Sequence, residues 1–302
     1  MVSAAGEPDF KLLTGQKKGM FLNELFRLTR FEHALMLAFA VFIAETIVLG
    51  GIPPFTLPII LSLLVPVFSE MGSFALNDCL DVETDRANKK KDRPLVKGTI
   101  SPAFAFRFAY ASLAISVALA FFINYSVFFI ALAFNLLAIA YNYKLKDLPA
   151  VGNIYIALTM AIPFIFGNCT ITPGHMPPLT VALALLGFVA GFAREIIKSV
   201  QDMEGDAKAR GSKTLPVVIG KRPALMIAIA MYLSFIPLSA APFFLGLEAG
   251  LPPLVFVGAA DILILAICAK SAKEDYRFAR DASLAAFMLG LLGILLAALE
   301  VF

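Results

Sequence analysis

The stretch TLPIILSLLVPVFSEMGSFALNDCLDVETD, residues 56–85, decides the fold. Its first part is an apolar run long enough to cross a bilayer, which takes about 20 mostly apolar residues. It ends in a cluster of acids, Asn77-Asp78-Cys79-Leu80-Asp81-Val82-Glu83-Thr84-Asp85. A greasy span that empties into carboxylates puts polar chemistry at a membrane surface. Similar runs recur on both sides of it. Nine candidate spans lie near 31–50, 56–77, 103–123, 126–143, 151–170, 179–200, 223–245, 251–269 and 282–302. Glycine and proline mark most gaps, as in Gly50-Gly51-Ile52-Pro53-Pro54 and Thr172-Pro173-Gly174-His175-Met176-Pro177-Pro178. The expected fold is all-α, a polytopic membrane protein of nine transmembrane helices. Residues 1–30 read as an N-terminal segment and 31–302 as one transmembrane domain.

Composition agrees. Of the 302 residues, 60% are hydrophobic and only 16% charged, with a mean hydropathy of +0.84. A soluble domain carries roughly 45–50% apolar and about 25% charged residues, so the excess apolar surface must face lipid. Phe is abundant, whereas Trp is absent and Tyr scarce, which leaves a weak interfacial aromatic belt. Cys79, Cys169 and Cys268 are far apart with no metal-ligand spacing, and His33 and His175 are the only histidines, so a structural zinc site is not expected. The first twenty residues are polar and basic and lack the apolar core of a cleavable signal. The run from Ala34 therefore reads as an uncleaved anchor.

The charges set the orientation. All 25 Lys and Arg fall in the N-terminal segment or in the loops that follow spans two, four, six and eight, with their flanks. The intervening loops carry none. The positive-inside rule puts the N-terminus in the cytoplasm and the C-terminus outside. Dropping one span would move the later basic loops to the wrong side. A soluble nucleic-acid binder can also be basic, but it does not interleave its charges with spans of this length; no nucleic-acid partner is expected.

Two acid clusters share the cytoplasmic side. In the first, a continuous helix would align Asn77, Asp81 and Asp85 at i, i+4 and i+8. Asp78 would point about 100° away. The second is Asp202-Met203-Glu204-Gly205-Asp206 at the end of span six, with Asp202 and Asp206 on one face and Arg210 four residues on. Like carboxylates at this spacing repel. A divalent cation between them relieves the repulsion, and Mg²⁺ prefers a few carboxylates plus waters and substrate phosphate oxygens. Two facing clusters of this kind suit a diphosphate held through metal, with nearby Arg and Lys completing an anion clamp. A weak internal repeat fits the pairing. Arg93-Pro94-Leu95-Val96-Lys97-Gly98 follows the first cluster and Leu215-Pro216-Val217-Val218-Ile219-Gly220-Lys221 the second, so spans one to four and five to eight read as related halves, with span nine added.

Asn77-Asp78-x-x-Asp81-x-x-x-Asp85 and Asp202-x-x-x-Asp206 resemble the two aspartate-rich motifs of the UbiA superfamily of intramembrane prenyltransferases. The resemblance covers nearly the whole chain. It implies helices around a central cavity, Mg²⁺ as cofactor and a polyprenyl diphosphate donor. Carried over, Asn77, Asp81, Asp202 and Asp206 are the catalytic metal and diphosphate ligands, with Asp85 a further ligand and Asp78 in support. The stretch from Ala193 to Asp206 is similar to the archaeal branch that adds a second geranylgeranyl chain to geranylgeranylglyceryl phosphate. There Arg194, Lys198 and Asp202 repeat every four residues as one polar stripe. Many members carry Tyr-x-x-x-Lys after span four, and this chain has Tyr141-Asn142-Tyr143-Lys144-Leu145-Lys146 instead. Tyr141 and Lys146 are the nearest counterparts. Arg27 and Arg30 sit where members place a phosphate-binding basic residue, and Lys97 and Arg210 are added as charge-neutralising groups. The neighbouring His33 reads as a packed interfacial residue.

The implied reaction transfers an isoprenyl group from its diphosphate to a lipid acceptor. The lipid acceptor read from the resemblance is a prenylated glycerol phosphate, geranylgeranylglyceryl phosphate; the alternative reading is a polyprenyltransferase acting on an aromatic acid such as 4-hydroxybenzoate. Aromatic faces in a dry cavity suit an allylic cation, and the tail needs an apolar tunnel open to membrane lipid. A CDP-alcohol phosphotransferase would need Asp-Gly and Ala-Arg at offsets that this cluster does not supply. A transporter would carry ionisable groups near the midplane, and Glu45 and Asp261 are the mid-span acids that stand out; helix–helix hydrogen bonding is the reading adopted for both. The orientation is directly testable. A Gly174→Cys variant in the loop after span five should react with an impermeant maleimide added to intact cells, and Gly211→Cys in the loop after span six should not; the reverse pattern inverts the topology.

Overall fold

The computed structural model describes residues 15–87 and 90–300, apart from the side chains of residues 15–19, 206, 209, 210 and 300. The first 14 residues of the expected N-terminal segment lie outside the described residues. Every regular element described is helical. In order they are α1 (Gly15–Thr29), α2 (Phe31–Leu49), α3 (Leu57–Leu80), α4 (Val82–Ala87), α5 (Pro94–Lys97), α6 (Pro102–Phe121) and α7 (Tyr125–Tyr143). A 3₁₀ turn at Leu145–Asp147 leads to α8 (Val151–Ile171), α9 (Pro178–Arg210) and α10 (Leu215–Ile219). Then come α11 (Lys221–Ser239), α12 (Ala241–Phe244), α13 (Leu251–Ala272) and α14 (Tyr276–Glu300).

Among the described residues, nine helical segments are long and apolar enough to cross a membrane: α2, α3, α6, α7, α8, α9, α11 together with α12, α13 and α14. They fall on the nine expected runs. The main differences are that α9 continues past the expected end near residue 200, carrying Asp202 on its own helix, and that α14 starts earlier. Local chemistry explains the starts. Proline occupies the first turn of α3, α5, α6 and α13, where its missing N–H costs nothing. The Ser101 hydroxyl accepts from the Phe104 N–H at 3.2 Å, and Asn124 Oδ1 accepts from the Val127 N–H at 3.0 Å, capping α6 and α7.

The two halves repeat one neighbour order. In the first, α2 packs on α3, α3 on α6 and α6 on α7; in the second, α8 packs on α9, α9 on α11 and α11 on α13. The leading helices of the halves, α2 and α8, pack on each other, and α14 closes against α13, α2 and α9. The helix α1 lies outside this bundle. Its Leu25 and fully buried Leu28 join Ala75 and Leu76 at the far end of α3.

Lipid tails are as apolar as leucine, so helices in a bilayer associate by close packing, with small residues at the contacts. A Cβ built on Gly187 of α9 would collide with the carbonyl oxygen of Met160 in α8, and one on Gly167 of α8 would lie 2.7 Å from the Val41 carbonyl oxygen in α2. The blocking atoms are backbone and cannot turn aside. Alanine normally favours a helix over glycine by about 1 kcal/mol, so the sign of the effect is diagnostic. Gly187→Ala should instead destabilise by about 1–3 kcal/mol, read as a lower melting temperature in detergent. Gly258→Ala, where nothing lies within 4 Å, should not; equal melting of the two variants refutes the close approach.

Candidate active site

The end of α3 does not run on as one helix. α3 stops at Leu80, Asp81 takes φ −102° and ψ 7°, and α4 starts at Val82. Backbone bonds still carry through the bend, from Asp81 N–H to the Asn77 carbonyl at 3.0 Å and from Asp85 N–H to the Asp81 carbonyl at 2.7 Å. The expected single face of Asn77, Asp81 and Asp85 is therefore divided into two groups with different partners.

In the first group, the Asn77 side-chain amide donates to Asp81 Oδ2 and to Asn142 Oδ1, both at 3.0 Å. Lys146 Nζ meets Asp81 Oδ1 at 2.6 Å, with both side chains largely buried. Asn142, on α7, is itself held by bonds to the Ala138 and Ser73 carbonyls. The second group is built on Asp78, which is 2% exposed. Arg30 Nη2 reaches its Oδ1 at 3.0 Å, and Arg93 Nη1 reaches both oxygens at 3.1 and 3.2 Å. Arg93 Nε also faces Asp85 at 3.8 Å. Asp78 thus serves two guanidiniums that flank the site. Arg30 sits in the left-handed region at φ 45°, ψ 54°, a position that costs a non-glycine residue about 1–2 kcal/mol. The ion pair and a cation–π contact 4.0 Å above the Phe74 ring hold it there. Burial lowers the Arg30 pKa from its ordinary value and Asp78 opposes the fall; a guanidinium stays charged regardless.

The clusters of α3–α4 and α9 meet. Lys90 Nζ lies 3.3 Å from Asp85 Oδ1 and 4.0 Å from Asp202 Oδ2, so one ammonium is shared by carboxylates from both. Deeper on α9, Arg194 Nε donates to Ser283 Oγ at 3.0 Å, and Lys198 pairs with the buried Glu195 at 2.9 Å. Asp206 and Arg210 continue α9, but their side chains lie outside the described residues. After α9, Ser212 Oγ donates to Asp147 Oδ1 at 2.6 Å and the Lys213 N–H to the Asp147 carbonyl at 3.0 Å. This pins the end of the second cluster to the turn that carries Lys146. Other expected residues stand elsewhere. Arg27 and Lys97 both pair with Glu24, at 3.6 and 3.7 Å, rather than with the aspartates. Tyr141 stacks on Tyr155 with centroids 4.6 Å apart.

Asn142 and Asp147 were passed over in the sequence. Asn142 sits inside the stretch read for its tyrosines and lysines and Asp147 directly follows it, and an amide one residue from the end of an apolar span was the available signal.

Beneath the aspartates is a cavity holding about 1020 Å³ of empty space, part of it open, between α2, α3, α8, α9, α11, α13 and α14. His33, Glu70, Arg194 and Ser239 are its polar lining residues; the rest is apolar, Phe164, Phe235 and Phe287 included. A second cavity of about 560 Å³ lies toward α6 and α7 and shares Leu37 and Glu70 with the first. The sequence drew attention to Glu45 and Asp261, and the structure corrects the emphasis. Ser62 donates to Glu45 and Ser239 to Asp261, as expected of helix-joining groups. Glu70 is the acid that faces both cavities.

The model of the UbiA prenyltransferase family matches residues 34–291. The chain belongs to this family. It is an integral multi-pass membrane prenyltransferase that transfers isoprenyl groups. A digeranylgeranylglyceryl phosphate synthase of Archaeoglobus fulgidus is 36% identical over 286 residues, 90% of this chain and 94% of that protein. A solved structure described as that of a digeranylgeranylglyceryl phosphate synthase in membranes is 28% identical, with TM-score 0.70 over 93% of this chain and 99% of that one. A UbiA homolog from Archaeoglobus fulgidus bound to GPP and Mg²⁺ is 24% identical and shares the fold, with TM-score 0.66 over 92% and 99%.

The burial of Asp78 generates a test of the prenyltransferase's scaffold. Breaking a buried ion cluster by removing one partner costs about 3–5 kcal/mol, whereas an exposed pair contributes under about 1 kcal/mol. Arg93→Met should therefore lower thermal stability in detergent clearly, and Arg27→Met hardly at all. Equal effects would contradict the assignment of Arg93 to Asp78.

Proposed function

We propose that this prenyltransferase moves a geranylgeranyl group from its diphosphate to geranylgeranylglyceryl phosphate, with Mg²⁺ held among Asn77, Asp81, Asp85, Asp202 and Asp206 at the cytoplasmic face. The observation that carries the reading is the ammonium of Lys90 shared by Asp85 and Asp202. Oxygens from both clusters come close enough to serve one cation, which a diphosphate–metal site requires. The donor atoms are all carboxylate or amide oxygens, the set that Mg²⁺ prefers. Among the described residues no three acids, histidines or cysteines gather tightly enough to hold a metal by themselves, so diphosphate oxygens and water would complete the coordination. When bound, Mg²⁺ supplies Lewis-acid neutralisation of the departing diphosphate.

The chain's own residues do the rest. Asp78 keeps Arg30 and Arg93 at the rim as an anion clamp. Lys146, braced against Asp81, adds a cation that can turn to the leaving group. The prenyl chain lies in the larger cavity, where Phe164, Phe235 and Phe287 offer aromatic faces to an allylic cation and apolar walls exclude water. Arg194, at the same cavity, and Lys198 one turn further along α9 suit the phosphate of the acceptor. The similarity to digeranylgeranylglyceryl phosphate synthases supports this acceptor. The proposed catalytic domain is residues 31–302, and the basic loops support a site on the cytoplasmic side with the C-terminus outside.

The test is a paired assay in detergent with labelled geranylgeranyl diphosphate and two acceptors, geranylgeranylglyceryl phosphate and 4-hydroxybenzoate, read by mass spectrometry. Ether product from the first alone is expected, and product from the aromatic acid alone overturns the acceptor. Asp81→Ala and Asp202→Ala should each lower transfer by about 10²–10³, and EDTA should stop it. Turnover unchanged in both variants removes the metal site from these residues.

A further inference from the structure

The acids of this protein divide by what they touch. Asp78, Asp81, Asp85 and Asp202 each lie within 4.0 Å of a Lys or Arg nitrogen. Glu45 and Asp261 are bonded to serines. Glu70 differs. Among the described residues no hydrogen bond or ion pair reaches it, although it lines both cavities. A carboxylate at membrane depth with no bonded partner is costly, and the charge that offsets this one is Arg30, which faces it without forming an ion pair.

Its position follows from the helix. Glu70 and Asn77 stand at i and i+7 on α3, one stripe of a 3.6-residue period, with Asp81 capping the helix one turn beyond Asn77. The rise per residue puts Glu70 about 10 Å inward from Asn77 along the axis. A diphosphate held at Asn77 and Asp81 therefore presents its first prenyl carbon toward Glu70. Arg194 lies across the same cavity, so an acceptor whose phosphate is on Arg194 brings its hydroxyl into the space between.

We propose that Glu70 is the catalytic base that takes the proton from the acceptor hydroxyl as the ether bond forms. The inference rests on the alcohol acceptor proposed above. The acceptor oxygen bonds to C1 of the prenyl chain, the C1–O bond to diphosphate breaks with its electron pair leaving on diphosphate, and the hydroxyl proton passes to the Glu70 carboxylate. The aspartates at the mouth are poor bases for this step because each is already satisfied by a cation. His33 shares the cavity but stands near Arg30, Arg194 and Lys198, a setting for an anion rather than for an arriving proton. The other titratable groups facing Glu70 are Arg30 at the α1–α2 junction and Tyr155 on α8; the residues of α6 and α7 that line the shared space are not titratable.

The experiment compares wild type, Glu70→Gln and Glu70→Asp in detergent, with Mg²⁺–pyrophosphate binding by calorimetry as the measure of an intact metal site. Glu70→Gln should keep wild-type binding and melting temperature while kcat for ether formation falls by about 10²–10⁴. Glu70→Asp should recover part of it. In wild type kcat should fall as pH drops, because a protonated base cannot accept; the residual rate of Glu70→Gln should lack that limb. If wild type forms ether and Glu70→Gln matches its kcat, the base is elsewhere and the proposed function stands. Loss of pyrophosphate binding in Glu70→Gln makes Glu70 a structural residue and overturns the inference. Failure of wild type to form any ether overturns the proposed function, and this step falls with it.

Discussion

Carboxylates do not gather at the rim of an apolar cavity unless cations gather with them. Asp78, Asp81, Asp85 and Asp202 crowd the ends of two membrane helices, where the effective dielectric is well below that of water and mutual repulsion is correspondingly strong. Each is compensated by a cation from a short element outside the two helices, and Lys90 and Arg93 each serve two of the acids. Arg30 comes from the strained junction of α1 and α2, Lys90 and Arg93 from the segment around α5, and Lys146 from the 3₁₀ turn after α7. The short elements at this end of the bundle are tied to the acids by these ion pairs. Asp147, which ties the segment after α9 to the Lys146 turn, serves the same arrangement.

The membrane-embedded body answers a different constraint. Lipid offers no hydrophobic incentive for helices to associate, so the bundle is held by backbone approach at glycine and alanine and by a few buried hydrogen bonds, Ser62 with Glu45 and Asn135 with the Leu113 carbonyl among them. Tight contacts of this kind run between α2, α8 and α9 and between α3 and α6. α2 and α8 line both cavities, and among the described residues that line them Glu70 is the one acid.

That scarcity gives the site its two tiers. At the mouth, acids and bases are matched, which suits holding an anion through a metal. A helix turn or two inward, no ion pair or hydrogen bond reaches Glu70 among the described residues, although His33, Arg194 and Tyr155 line the space around it. Binding and proton transfer ask opposite things of a carboxylate, saturation in one case and vacancy in the other, and α3 supplies both.

The nine spans, the position of both acid clusters and the family were legible in the sequence because they rest on local composition: runs of about 20 apolar residues need no tertiary partner to be read, and a carboxylate at i and i+4 declares its face. The pairing of Asp81 with Lys146 was within reach, since the two flank neighbouring span ends. What the sequence withheld was decided by chain breaks and by contacts across the bundle. The bend at Asp81 sends Asp85 to Lys90 and Arg93 instead of along the face of Asn77, and nothing in Leu80-Asp81-Val82 announces it. Arg27 and Lys97 look like phosphate ligands by position, yet Glu24, more than 70 residues from Lys97, claims both. Glu70 reads as one more residue of an apolar span until the helices close around it. Periodicity tells which way a side chain points on its own helix; only the packed neighbours decide whether what it meets there is lipid, a counter-charge or an empty chamber.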